Sequence, residues 1–348
     1  MHRGDMRRLT TAGLLGLLLV VVGYSIYWYF AAQALEEGIT RWVAERRAEG
    51  YRISVAEPLI GGFPFRLTAE IEAPFIEAPP EEGAWRWQGP RIAGSAAPWN
   101  PLRIDLTMPG RHALSGAIAG QALTLYADAG GADGQVELDR AGRLKAVELV
   151  LADLAIADEA GDRITIEAAD LAATLHDSAS DDRENSIDFD FSLAGLVLPA
   201  DNPPPLGREI DRIEAEGTLV GTIPPGPPAQ ALGAWRDAGG TLEARRLEIA
   251  WGPLTLAANG TFALDQAMQP VGAMTATVSG HGETIDALVA ADIIRPRDGS
   301  IAQLILAAMS QPPENGGRPE IRVPLTAQDG YLSVGPVRLI PLPPIRWE

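Results

Sequence analysis

The chain has 348 residues, 46% hydrophobic and 21% charged, a globular composition that excludes a disordered polymer and leaves room for one large or two ordinary domains. Its formal net charge of −18 excludes a nucleic-acid ligand, because phosphate binding needs a basic footprint, and it keeps the soluble part off anionic headgroups. The absence of cysteine removes disulfides, thiolate nucleophiles and Cys-ligated metal, while 37 Gly and 28 Pro favour many short elements joined by turns.

Residues 1–13 read as a short cytoplasmic tail carrying Arg7 and Arg8. From Leu14 to Ala32 no residue is charged. At 1.5 Å per residue this run makes a helix of about 28 Å, which matches a hydrocarbon core of about 30 Å. Tyr24, Tyr27, Trp28, Tyr29 and Phe30 crowd its far end as an interfacial aromatic belt would. The basic tail abutting the run favours a single-pass inner-membrane anchor with the bulk of the chain in the periplasm. A cleaved signal peptide is the competing reading, because Ala32-Gln33-Ala34 matches an A-x-A site. The length of the run and its aromatic end favour a retained signal anchor over cleavage. Residues 33–50 continue as a charged juxtamembrane stalk helix, with Leu35, Ile39, Trp42 and Val43 at helical spacing.

Residues 51–348 form the exported part, and their dominant signal is alternation with period two. Ile53/Val55, Leu67/Ala69/Ile71, Leu102/Ile104/Leu106, Val147/Leu149/Leu151, Ile187/Phe189/Phe191/Leu193, Leu247/Ile249/Trp251 and Ile321/Val323/Leu325 all alternate with polar neighbours. One apolar and one polar face predicts antiparallel strands covered on one side. Turn residues at 139–142, 159–162 and 329–330 fall at hairpin spacing. The expected fold class is mainly β: a curled, mostly antiparallel sheet, groove-like or open barrel-like, with a few short helices. Helices are predicted over 229–238, 283–294 and 300–309, and the Pro-rich loop at 201–207 could divide the domain into two halves.

No catalytic motif stands out. His112, His176 and His281 share no metal-ligand spacing, and the acidic stretch Asp177, Asp181, Asp182 and Glu184 lacks the calcium-loop pattern. The sequence therefore predicts no enzyme, no metal and no cofactor. A hydrolase would need two or more of His112, His176, Asp177 and His281 to meet in a cleft. Aromatics are the better lead. Phe63, Phe65, Trp85, Trp87 and Trp99 fall within one stretch of a chain with only 6% aromatics. Ordinary core filling explains each of them singly, and together they are a candidate apolar groove for an acyl chain.

Gly61-Gly62-Phe63-Pro64-Phe65-Arg66, Trp99-Asn100-Pro101 and Gly335-Pro336-Val337-Arg338-Leu339-Ile340-Pro341-Leu342-Pro343 resemble the Gram-negative envelope family called domain of unknown function 2125. More loosely, the strand–turn order of residues 241–280 resembles AsmA-like proteins. That resemblance implies a β-sheet curled into an apolar groove and a part in moving lipid across the periplasm. The expectation is a membrane-anchored, non-enzymatic periplasmic protein that binds or shields lipid acyl chains. The alternative is an envelope assembly or scaffolding protein that binds protein partners through sheet edges.

Overall fold

The structure, a computed structural model, describes residues 3–118, 121–177, 185–201, 203–224, 226–310, 318–334, 337–345 and 347. It opens with one uninterrupted helix, α1 (Arg3–Ala48, 46 residues), so the predicted anchor and stalk are two halves of a single rod. Their chemistry differs, but no proline separates them, and a lone Gly38 costs only about 1 kcal/mol. Gly50, at φ 98°, stops the helix, and the Tyr51 amide donates back to the Arg46 carbonyl at 3.1 Å.

After that stop the chain reverses and enters a single, open, all-antiparallel sheet of 20 strands. The first ten are five long strands, each broken once. They are Arg52–Ser54 with Leu59–Gly61 (β1, β2), Leu67–Glu72 with Phe75–Glu77 (β3, β4) and Arg86–Gln88 with Arg91–Ala97 (β5, β6). Asn100–Thr107 with Gly110–Ile118 (β7, β8) and Gln121–Ala129 with Gly131–Leu138 (β9, β10) complete the set. Pairing runs β2–β3–β6–β7–β10 on one side of the breaks and β1–β4–β5–β8–β9 on the other. Both series meet β11 (Leu144–Asp158), with β10 along its first part and β9 along its last.

The breaks line up into a crease. They fall at 55–58, Ala73-Pro74, Gly89-Pro90, Met108-Pro109 and Gly130. Proline has no amide to give a ladder, so the strands that carry one at the break interrupt their pairing there, while the break at Gly130 uses a residue without a side chain. The Ala73 amide donates to the Pro90 carbonyl at 2.8 Å and the Gly89 amide to the Pro74 carbonyl at 3.2 Å, which binds neighbouring breaks to each other. Opposite Gly130, Asp153 adopts φ 51°, and the partners of β11 change from β10 to β9 around it.

Beyond β11 the sheet is a plain meander. It comprises β12 (Arg163–His176), β13 (Ser186–Val197), β14 (Glu209–Val220), β15 (Thr241–Trp251), β16 (Leu254–Leu264) and β17 (Pro270–Ser279). It ends with β18 (Glu320–Gln328), β19 (Tyr331–Val334) and β20 (Val337–Pro341). The turns predicted at 139–142, 159–162 and 329–330 join β10–β11, β11–β12 and β18–β19. The Pro-rich loop at 201–207 joins β13 to β14, and these two pair from Val197↔Glu209 onward, so the sheet runs straight through that position.

The predicted helices are α2 (Pro228–Asp237), α3 (His281–Ala290) and α4 (Pro296–Met309). Trp235 of α2 is buried, donates from Nε1 to the Val220 carbonyl at 2.8 Å, and lies so close to Gly240 that a Cβ there would come within 2.2 Å of its ring.

In a meander, alternate connections lie at the same end. The turns at 62–66 and 98–99, the β10–β11 turn and α2 share one end, and the β11–β12 turn and the α3–α4 pair share the other. Helix α1 runs back to back with the first strand: Arg47 donates to the Ile53 carbonyl at 2.7 Å, while Tyr27 donates to the Pro98 carbonyl at 2.7 Å. The two paths agree in length. Twenty-four helical steps from Tyr24 to Ala48 cover about 36 Å. The roughly eleven extended residues from Ile53 to Pro64 cover about 36 Å.

Candidate functional site

Register turns the alternation of the sequence into rows. One row reads Leu149↔Leu171↔Phe191↔Ala215↔Leu247↔Ala258↔Ala276↔Val323 across β11 to β18. The next reads Leu151↔Ala169↔Leu193↔Ile213↔Ile249↔Leu256↔Val278↔Ile321. Val147↔Ala173↔Phe189↔Gly217↔Ala244↔Gly260↔Met274↔Leu325 and Leu175↔Ile187↔Leu219↔Leu242↔Phe262 complete the same face. At strand and residue spacings this is an apolar area of about 34 by 20 Å. Gly217 serves the Phe189 ring: a Cβ there would sit 2.8 Å from it.

This face is not closed, and its burial is uneven. Ala276 is fully buried and Leu325 nearly so, whereas Leu149, Phe189, Phe191 and Ile213 stay half-buried and Leu171 is 39% exposed. The total accessible surface is 22334 Å². A compact monomer of this mass would show about 13,600 Å².

The opposite face is polar and cross-braced. Glu214 sits directly opposite Glu248, and the repulsion is relieved by Arg246, 2.7 Å from Glu214, and by Arg212, within 4 Å of both. A bulge at Arg245 lets its guanidinium reach Glu216 at 3.0 Å and Asp188 at 3.3 Å. Asp188 also accepts from Thr218 at 2.5 Å and lies 3.0 Å from His176 Nε2. The Thr218 hydroxyl first, and then Arg245 and His176, hold the Asp188 carboxyl below its ordinary range.

Cavities among the described residues adjoin the sheet at two places of interest. One of about 780 Å³ continues the last apolar row at the α2 end, with Leu144, Leu175, Ile187 and Ile223 in its wall. Arg143 lies in the same wall and bridges Asp139 at 2.8 Å and Asp177 at 2.6 Å. The other, about 890 Å³, sits at the crease beside Pro74, Pro90, Arg111 and Tyr126, where the Arg111 guanidinium stacks 4.4 Å from the Tyr126 ring centre.

The five aromatics predicted to line a groove divide into two groups. Phe63, Phe65 and Trp99 occupy the turns at 62–66 and 98–99 beside α1, and all three are exposed. Trp87 lies in β5 and stacks on His112 with centroids 5.6 Å apart, while Trp85 packs edge-on against Tyr51 at 6.3 Å. Of the belt aromatics, Trp28 donates to the Arg66 carbonyl at 2.9 Å, Tyr24 donates to the Pro64 carbonyl, and Tyr29 and Phe30 are exposed. His176 and Asp177 share the 780 Å³ cavity but engage Asp188 and Arg143 respectively, while His112 belongs to β8 and His281 begins α3. Asp181, Asp182 and Glu184 lie outside the described residues. Among the described residues no group of three or more His, Asp or Glu is placed to hold a metal ion.

Residues 28–343 match the family described as uncharacterized protein conserved in bacteria (DUF2125). The chain belongs to that family. The match begins at Trp28, where the helix meets the 62–66 turn, and takes in the creased strands, the open face and both cavities. No curated protein and no solved structure matches the chain.

Proposed function

We propose that this protein is a helix-anchored component of the bacterial cell envelope whose sheet shelters lipid acyl chains on the periplasmic side, without catalysing a reaction. The apolar face of β11–β18 carries this reading: four rows of mostly Leu, Ile, Val, Phe and Ala run across an open sheet, buried toward β16–β18 and left half-exposed at Leu149, Leu171, Phe189, Phe191 and Ile213. An area of that size left to water is costly, at about 25 cal/mol for each Å² of apolar surface, and an apolar ligand removes the cost. The arrangement suits the groove that the AsmA-like resemblance implies.

Retention of the helix is supported by its contacts. Cleavage after Ala34 would remove Tyr24, Tyr27 and Trp28, whose side chains hydrogen-bond the turns at 62–66 and 98–99. The edge-pairing alternative finds less support, because the terminal strands β1, β2 and β20 are only three, three and five residues long.

The test is photocrosslinking of the full chain in vesicles containing a phosphatidylethanolamine with a diazirine in its acyl chain. Adducts are expected on β12 and β13 peptides carrying Leu171 and Phe191. Adducts confined to α1 and the 62–66 turn would remove the sheltering role.

A further inference from the structure

We propose that the turns at 62–66 and 98–99 form a foot that enters the hydrocarbon of the leaflet on the domain's side, so that the protein holds the bilayer by a helix and two loops together. The inference rests on the reading of α1 as a retained anchor and concerns a different surface from the sheet face.

Depth is the first argument. The foot is tied to α1 at Tyr24, Tyr27 and Trp28 through bonds to the Pro64, Pro98 and Arg66 carbonyls. The uncharged stretch continues to Ala32. At 1.5 Å per residue the foot therefore lies about 6–12 Å below the end of that stretch, where the surroundings of the helix are acyl chains. A helix crossing the bilayer carries the foot in with it.

Composition is the second. Phe65 is 71% exposed, Trp99 70% and Phe63 54%, on turns that adjoin one another through the helix. Exposed aromatics of this size at turn tips suit an acyl-chain environment and would be a liability in water. Within 62–66 the only charge is Arg66, and it is directed away from the tip, 2.9 Å from Ser95 and 3.9 Å from Asp105. Backbone groups are also provided for. The Arg66 amide donates to the Gly62 carbonyl at 2.9 Å, and three carbonyls of the foot accept from the helix, which reduces the backbone desolvation that otherwise keeps loops out of lipid. Gly62, at φ 95°, is what lets the turn close, since a Cβ would stand 2.7 Å from the Arg66 carbonyl oxygen.

The absence of native cysteine makes the test direct. Single variants Phe65→Cys, Trp99→Cys, Val21→Cys and Ile293→Cys, all at exposed positions, are made in the full chain and given a nitroxide label. The proteins are reconstituted in equimolar phosphatidylethanolamine–phosphatidylglycerol vesicles, and relaxation by oxygen (lipid-soluble) is compared with that by a nickel chelate (water-soluble). The expected result is an oxygen-to-nickel ratio at Phe65→Cys and Trp99→Cys shifted up to that of Val21→Cys, with Ile293→Cys remaining on the nickel side. Labels at 65 and 99 that follow Ile293→Cys while Val21→Cys stays lipid-immersed would overturn the foot and leave the anchor standing. A Val21→Cys label in water would overturn both. Labels at 65 and 99 shielded from both reagents would place the foot against protein, such as a second copy, and overturn the lipid assignment.

Discussion

The first five strands and the later ones are written in the same alternating grammar, yet only the first five bend. Each of the five creased strands carries an interruption, at 55–58 with Pro58, at Pro74, at Pro90, at Pro109 or at Gly130, whereas β11 to β16 contain no proline at all. Pro270 opens β17, and Pro324 in β18 falls before β19 begins to pair at Thr326, on a stretch with one open edge. Strand identity therefore follows from periodicity, while the shape of the sheet follows from where single prolines or a glycine interrupt it. The crease lies beside the 890 Å³ cavity, and the unbroken strands carry the continuous apolar face.

The contrast can be probed by substitutions. The largest effect is expected in the unbroken half from Trp235→Ala, which removes a buried ring seated on Gly240 and a bond to Val220. Urea titration should show a loss of about 3–5 kcal/mol. A loss below about 1 kcal/mol would mean that α2 does not clamp the end of the sheet.

At the crease, Gly110→Ala meets two obstacles: φ 85°, and a Cβ 2.9 Å from Pro90 Cγ. Gly142→Ala has a similar φ of 78° but open space around it. The crease variant should lose about 1–3 kcal/mol and the turn variant about 1 kcal/mol by the same titration. Equal losses would show that the breaks do not bear on one another.

The smallest effect belongs to the polar face. Asp188, whose folded-state carboxyl is held below its ordinary range, adds stability that is present above its unfolded value and fades as pH falls through the folded one. Asp188→Asn should therefore lower stability modestly at neutral pH and flatten its decline on the acid side. An unchanged acid limb would remove Asp188 from the brace formed with Thr218 and Arg245.

Much of this could be read from the sequence, because period two runs through the strands from β11 to β18, slipping only at bulges such as that at Arg245, and the turns at 139–142, 159–162 and 329–330 carry Gly and Asp where the hairpins close. The crease could not. Taken singly, Pro74 or Pro90 reads as the end of a short strand, and only register shows that the breaks stand side by side. The long helix was hidden by its change of chemistry near Gln33, which alters its side chains without altering its backbone. The foot was partly visible. Gly61, Gly62 and Pro64 signal a turn, but the spacing of Phe63 and Phe65 also imitates a strand with one aromatic face. That Tyr24 and Trp28 would meet that turn depends on helix and strand running back over equal lengths, a matter of geometry rather than of any local motif.

The meander also governs how the molecule can come into being. In order of synthesis, from the return strand after α1 to β20, every long strand finds its partner in the one made just before it. No segment has to wait for a distant one to close a loop, so contact order stays low for an all-β architecture and assembly can proceed by accretion from the helix outward. Apart from the short β1 and β2, which stay at the far edge beside α1, only the newest strand presents an open edge of the growing sheet.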